Sequence, residues 1–192
     1  MPKPNVREEI LAAGVDTLHR HGFNATSVQD ITDAAGVPKG SFYNHFESKE
    51  ALGAEVVVRF MQNRRAHLAV LRDTTLAPLS RLRKYFEGMN QIFAKNNYSH
   101  GCLLGNFGAE LSDQSPLIRE RLAQAFEEWS KLIANVIAES QAAGDMTKDF
   151  SPKTLAGFFL NGWEGALLRA RVDKSRAPLD QFLAVNFAKV LT

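Results

Sequence analysis

Apolar residues recur at helical spacing along almost the whole chain. Ile10, Ala13, Gly14, Thr17 and Leu18 share one face of a helix that begins at Asn5, is led in by Val6, and closes at Gly22. Residues 1–4 precede it as a proline-containing tail. Val28, Ile31 and Ala35 line a short second helix, capped by Thr26 or Ser27 and carrying Asp30 in its first turn. Gly36 stops that helix, Val37 plugs the turn, and Pro38 suits the first position of the next. There Phe42 and Phe46, four residues apart, form the buried side. Ser48 caps a longer helix, which Leu52, Val56, Phe60, Met61, Leu68 and Leu71 carry to about Arg72.

After a linker at 73–78, the spacing predicts a helix from Pro78 to about Asn96 and a short apolar one from Cys102 to Leu111. A long helix follows, capped by Ser115 and running to Gly144. Another begins at Ser151-Pro152, and a last one is opened by Pro178 and includes Leu179, Phe182, Leu183, Phe187 and Val190. No sustained alternating segment bounded by hairpin turns competes, so the predicted class is all-α.

Within this pattern, Thr26 to Leu52 has the layout of a helix-turn-helix. Lys39, Ser41, Tyr43, Asn44 and His45 have no core duty that spacing can assign. A short helix with a polar outer face is what a DNA major groove admits. The same layout also serves as an ordinary three-helix packing unit. Charge does not decide between them. Residues 1–66 hold eight basic residues (Lys3, Arg7, Arg20, Lys39, Lys49, Arg59, Arg64, Arg65) and eight acidic ones (Glu8, Glu9, Asp16, Asp30, Asp33, Glu47, Glu50, Glu55), and the whole chain is only +2. DNA binding would therefore rest on the placement of a few side chains rather than on a basic domain.

The run Gly36-Val37-Pro38-Lys39-Gly40-Ser41-Phe42-Tyr43-Asn44-His45-Phe46-Glu47-Ser48-Lys49-Glu50-Ala51-Leu52, with Thr26 to Ile31 upstream, resembles the recognition-helix signature of the TetR family of transcriptional regulators. The resemblance implies that Lys39, Gly40, Ser41, Asn44 and His45 face the groove and that Ser27, Tyr43 and Lys49 grip phosphates. It implies an N-terminal three-helix DNA-binding domain at 1–48 and a helical effector-binding and dimerisation domain at 49–192. It also implies a homodimer on a palindromic double-stranded operator, released by a small molecule. Gly101-Cys102-Leu103 and the residues that follow are similar to a segment in a subgroup that includes sensors of electrophiles and unsaturated acids.

The aromatic residues of the C-terminal half supply candidate effector contacts: Phe93, Phe107, Phe126, Trp129 and Trp163, with Cys102 beside them. Cys102 at a helix start could be a reactive thiol or an inert buried one. Gly157, Gly162 and Gly165 each cost about 1 kcal/mol in a helix; close approach of a second helix would offset that. With Phe182 and Asn186 they are the expected dimer interface, in a four-helix bundle made with a second copy.

The single cysteine excludes an intramolecular disulfide. His19, His21 and His45 match no zinc spacing, so neither metal nor cofactor is expected. The start lacks a signal-peptide core and no apolar run reaches membrane-spanning length, which predicts a cytoplasmic protein with no membrane partner. Two other readings stay open: a thiol-dependent enzyme using Cys102 with His100, and a helical interaction module that binds no DNA.

Overall fold

Asn5 opens the first helix, α1 (Val6–His21), by accepting a hydrogen bond from the Glu8 amide at 3.3 Å. The computed structural model describes residues 5–190, with side chains to residue 188. The expected tail at 1–4 and the side chain of Val190 lie outside the described residues. α1 is followed by α2 (Val28–Ala35), α3 (Lys39–Tyr43), α4 (Lys49–Asn63), α5 (Arg65–Leu68), α6 (Pro78–Lys95), α7 (Leu103–Leu111), α8 (Pro116–Ala143), α9 (Pro152–Asp173) and α10 (Ala177–Val185). A 3₁₀ turn at Ala69–Arg72 follows α5, and a wide helical turn at Asn186–Val190 follows α10. The described residues form helices and no strands, so the all-α expectation holds.

The chain divides into two compact units that are not consecutive stretches. The first is the chain up to Asn63 together with Cys102–Ala125; the second is Arg64–Gly101 together with the chain from Phe126 on. In the first unit, α1, α2 and α4 bury Ile10, Leu18, Ile31, Leu52 and Val56 completely, and α3 adds Phe42. Each such side chain contributes roughly 1.5–3 kcal/mol by leaving water. Arg7 and Glu55 pair at 2.6 Å, and Arg59 pairs with Glu8, tying α1 to α4 on their outer edge. α7 packs against α4 in the same unit and buries Leu103, Leu104, Phe107 and Leu111.

In the second unit, α6, α9 and α10 pack around an aromatic core of Phe86, Phe159 and Trp163. Phe86 meets Phe159 edge-to-face with centroids 4.6 Å apart. Ser151 caps α9 by accepting from the Thr154 amide at 3.1 Å, with Pro152 at its first position, as the sequence predicts.

Two expectations need correcting. The helix expected to run unbroken to Arg72 ends at Asn63. The chain then continues through a short α5 and a 3₁₀ turn. Three residues per turn put Leu68 and Leu71 on the same side, and both are buried. Arg81 Nη1 donates to the Leu71 carbonyl at 3.2 Å, supplying a partner at the end of this segment. Pro38 does not occupy the first turn of α3; it is the residue before it, in extended conformation. Its carbonyl accepts from the Ser41 amide at 2.9 Å. The ring lacks an N–H, and at this cap none is needed.

Candidate nucleic-acid interface

α2 begins with a reciprocal cap. The Ser27 hydroxyl accepts from the Asp30 amide at 3.1 Å, and the Asp30 carboxylate accepts from the Ser27 amide at 2.7 Å. The same carboxylate accepts from the Ser27 hydroxyl at 2.7 Å. Two helix-end donors are satisfied at once. These bonds, first from the hydroxyl and then from the amide, hold the Asp30 carboxyl below its ordinary value of 3.8. The sign follows directly. A lowered carboxyl pKa stabilises the fold fully above the unfolded value, and the contribution is lost as pH falls through the lowered one. Carboxyl-carbon NMR of Asp30 is therefore expected to show a midpoint below 3.8 that returns toward it in Ser27→Ala; a titration unmoved by that change would remove the cap from the account.

The turn is built on Gly36, whose φ of 69° lies in the left-handed region. The Val37 amide then donates back to the Thr32 carbonyl at 3.0 Å. Thr32 itself is fully buried, its hydroxyl donating to the carbonyls of Val28 and Gln29. Beyond the turn, Phe42 and Phe46 anchor α3 from below, with rings 5.6 Å apart. That anchoring leaves Lys39, Gly40, Tyr43, Asn44 and His45 exposed together, with Ser41 half-buried. Tyr43 is 59% exposed although its ring packs edge-on against Phe42.

Gly40 tells most about this surface. A β-carbon built on it meets nothing within 4 Å, and its backbone is ordinary helix. The chain itself has no use for glycine there, although glycine costs about 0.5–1 kcal/mol relative to alanine. Close approach of an external surface would explain it. Gly40→Ala is expected to raise Tm by a few degrees, roughly 2–4 °C. It is also expected to weaken operator binding by roughly 1–3 kcal/mol, about the value of one base contact. Thermal melts and fluorescence anisotropy check the two halves separately.

The sequence comparisons agree with this geometry. Residues 10–56 match the model of the bacterial regulatory proteins of the tetR family. Residues 78–185 match that of the tetracyclin repressor-like C-terminal domain. The chain belongs to the TetR family. It is 41% identical over 192 residues to the HTH-type transcriptional repressor DhaR of Mycobacterium sp. (strain GP1), covering all of this chain and 95% of the relative. The crystal structure of regulatory protein TetR from Rhodobacter sphaeroides superposes with a TM-score of 0.90 at 32% identity, covering 98% of this chain and 100% of that one. The crystal structure of E. coli NemR in reduced form gives 0.89 at 26%, covering 98% of both. Family membership supports the DNA-binding reading: the protein is a helix-turn-helix, DNA-binding transcriptional regulator. Among the described residues, no helix is long and apolar enough to cross a membrane.

The remaining expected site residues of this TetR-family chain fall as follows. Lys49 Nζ donates to the carbonyls of Phe23 at 2.9 Å and Thr26 at 2.8 Å, and sits 4.3 Å from the Phe23 ring centroid. Two of its three ammonium protons thus hold the loop that leads into Ser27. Burial lowers its pKa, and the nearby Glu110 carboxylate pulls it back up. Ser27 likewise spends its hydroxyl proton on Asp30. The sequence offered Ser27 as a cap, but its spacing gave Lys49 no such internal role.

Glu110, on α7, is the residue that sequence reasoning missed. Its Oε2 accepts from the Asn24 amide at 2.9 Å, across 86 residues of chain. On the same helix, Phe107 packs edge-to-face on Phe23 at 5.8 Å. α7 therefore braces the loop with two residues three apart on one face of the helix. No local pattern signals a bond between a loop amide and a carboxylate so far away.

Of the expected effector residues, Cys102 and Phe107 belong to the first unit, whereas Phe93, Phe126, Trp129 and Trp163 belong to the second. Cys102 is the residue before α7 and is 3% exposed. Phe93, Trp129 and Trp163 do come together: Trp163 lies 5.8 Å from Phe93 and 5.7 Å from Trp129. Phe126 is half-buried.

The expected dimer residues divide as well. A β-carbon on Gly162 would come within 2.9 Å of Phe182 in the same chain, so that glycine admits α10 onto α9. Asn186 is buried and donates to the Phe182 carbonyl at 2.8 Å. Gly157 and Gly165 face open space. Around them the surface of α9 is apolar: Phe158 is 57% exposed, Leu168 63% and Val172 71%. Phe158, Gly165, Leu168 and Val172 follow one another at 7, 3 and 4 residues and so share one face.

Proposed function

We propose that the chain is a ligand-released repressor that binds a palindromic operator as a homodimer in the cytoplasm. The observation that carries the reading is the exposed polar edge of α3, held on a buried Phe42–Phe46 base and containing a glycine that its own fold does not need. In the proposal, Lys39, Gly40, Ser41, Asn44 and His45 face base edges, and Tyr43 faces phosphate. Ser27 and Lys49 act chiefly by fixing the start of α2, with phosphate contact as a secondary use. DNA reading resides in residues 1–48; effector binding and dimerisation reside in 49–192. The dimer face is the strip Phe158, Gly165, Leu168 and Val172 of α9, extended by Val185 of α10, which is 57% exposed.

The effector acts by population shift, favouring a dimer whose two α3 helices no longer match successive grooves. The covalent route is short: α7 begins two residues after Gly101 of the second unit and leads into α8, which supplies residues to both units. Selection of bound sequences from random DNA tests the reading. It is expected to return an inverted repeat with half-site centres about one helical turn, roughly 10 bp, apart or a multiple of that. Recovery of no repeat by the folded protein would overturn it.

Cys102 supports a second reading, a thiol-responsive regulator of the subgroup that the Gly101-Cys102-Leu103 segment resembles. The place of the thiol beside the α7 N-terminus favours it, as does the likeness to a repressor crystallised in reduced form. Alkylation with N-ethylmaleimide is expected to label Cys102 and release operator DNA. A protein that labels without releasing DNA, or that resists labelling when native, removes this reading and leaves the first intact.

A further inference from the structure

The aromatic core of the second unit holds donors that the fold does not use. Asn90, on α6, is fully buried. Its Oδ1 accepts from Trp163 Nε1 at 3.0 Å, which fixes the amide and turns Nδ2 the other way. Among the described residues, Nδ2 has no hydrogen-bond partner. Neither has Nε1 of Trp129, which is 1% exposed. The two indoles meet edge-to-face at 5.7 Å, so Trp129 and the Asn90–Trp163 pair are parts of one aromatic cluster. Phe86 and Phe93 complete it, 5.5 and 5.8 Å from Trp163.

Buried donors left without acceptors are costly, and a buried indole N–H usually finds a partner. Here they sit among aromatic rings. Among the described residues the buried cation of this unit is Arg81, nine residues earlier on α6 and roughly 13 Å along the axis. Two of its guanidinium bonds go to Leu71 and Glu139, and its Nε has no hydrogen-bond partner among the described residues. Neutral N–H donors without a cation suit a neutral acceptor and would leave a buried carboxylate poorly compensated.

We propose that Asn90 and Trp129 anchor an effector site that takes a small, uncharged, mainly apolar molecule bearing a carbonyl acceptor, such as a ketone, ester or amide. The carbonyl oxygen receives the unmet N–H groups, and the apolar body lies against Trp163, Phe86 and Phe93. Asn90 thereby joins the site as its orienting polar residue. The inference rests on the ligand-released reading given above and adds the chemistry of the ligand to it.

The chain has two tryptophans, so its indole N–H spectrum has two resonances, and Trp129→Phe identifies which is which. The full-length protein is titrated with acetone, cyclohexanone and N,N-dimethylacetamide, and in parallel with acetate and cyclohexanecarboxylate. The neutral probes are expected to move the Trp129 indole resonance saturably, and the carboxylates to leave it in place. Asn90→Leu is expected to weaken the neutral probes roughly tenfold. Trp129→Phe, read on the Trp163 resonance, is expected to do the same while leaving the unliganded Tm unchanged or higher, because it removes an unmet donor. Trp129→Phe also serves if Asn90→Leu does not fold.

The proposal is overturned if no neutral probe moves the resonance, if carboxylates bind more tightly than ketones and amides, or if affinity is indifferent to both substitutions. An indole proton that contacts only water and ignores every probe overturns it equally. Operator release measured on the same samples separates this claim from the functional one. Probe binding at Trp129 without DNA release keeps the site and removes its regulatory role. Release by probes that leave Trp129 unmoved keeps the regulator and removes the site.

Discussion

Leu168→Glu and Val172→Asp are each expected to turn the protein into a folded monomer that no longer holds its operator. Both side chains stand on the exposed face of α9, at 63% and 71% exposure, so neither substitution opens a cavity or buries a charge within the protomer. Surface changes of that kind normally alter stability by no more than about 0.5 kcal/mol. In a symmetric dimer, however, the same residue occurs in both halves of the interface, and each change is felt twice. Central interface positions are worth about 2 kcal/mol or more, roughly thirtyfold in a dissociation constant. A neutral N-terminal head with few phosphate contacts depends on having two copies, so operator affinity should fall with the dimer. Sedimentation velocity and anisotropy on the selected operator check both points. A variant that stays dimeric and binds DNA as the parent does would place the interface elsewhere.

Glu110→Ala is expected to have the second-largest effect, and at a distance from the DNA-facing residues. It removes the acceptor of the Asn24 amide and the carboxylate near Lys49. A hydrogen bond to a charged group is worth about 1.5–3 kcal/mol, and that loss should appear in denaturant unfolding. Hydrogen exchange at Asn24 should accelerate, and the loop from Phe23 to Thr26 should loosen. Because Ser27 follows that loop, α2 loses a fixed starting point and operator affinity should fall about tenfold. Glu110→Gln retains an acceptor oxygen and should recover most of the Asn24 protection. If Asn24 exchange and operator binding are both unchanged in Glu110→Ala, then α7 does not control the head.

These cases show where sequence reasoning succeeds on this chain and where it stops. Caps and turns are local, so they could be read in advance: Ser27 with Asp30, Gly36 at positive φ, and Ser151 before Pro152 are all fixed by neighbours within four residues. Apolar spacing likewise placed Ile31, Phe42 and Leu52 in the core. Partners far along the chain left no such trace. Glu110 looks like any helical glutamate, and Lys49 has the same code whether it meets a phosphate or the carbonyls of Phe23 and Thr26. The break after Asn63 was hidden because Leu68 and Leu71 fit both a helix and a 3₁₀ turn. Gly162 reads the same whether the helix it admits is α10 of its own chain or a second copy, and only the position of Phe182 distinguishes the two.

The direct test of the central claim concerns the outer edge of α3. Lys39, Asn44 and His45 are all exposed, so replacing the three together with alanine should leave Tm and the dimer unchanged. Binding to the selected operator is then measured by anisotropy across a range of salt concentrations. The parent is expected to bind specifically, with affinity falling steeply as salt rises. The triple variant should fall to the level of unrelated DNA, with a shallower salt dependence. Undiminished operator affinity in a folded, dimeric triple variant would contradict the assignment of this face to DNA.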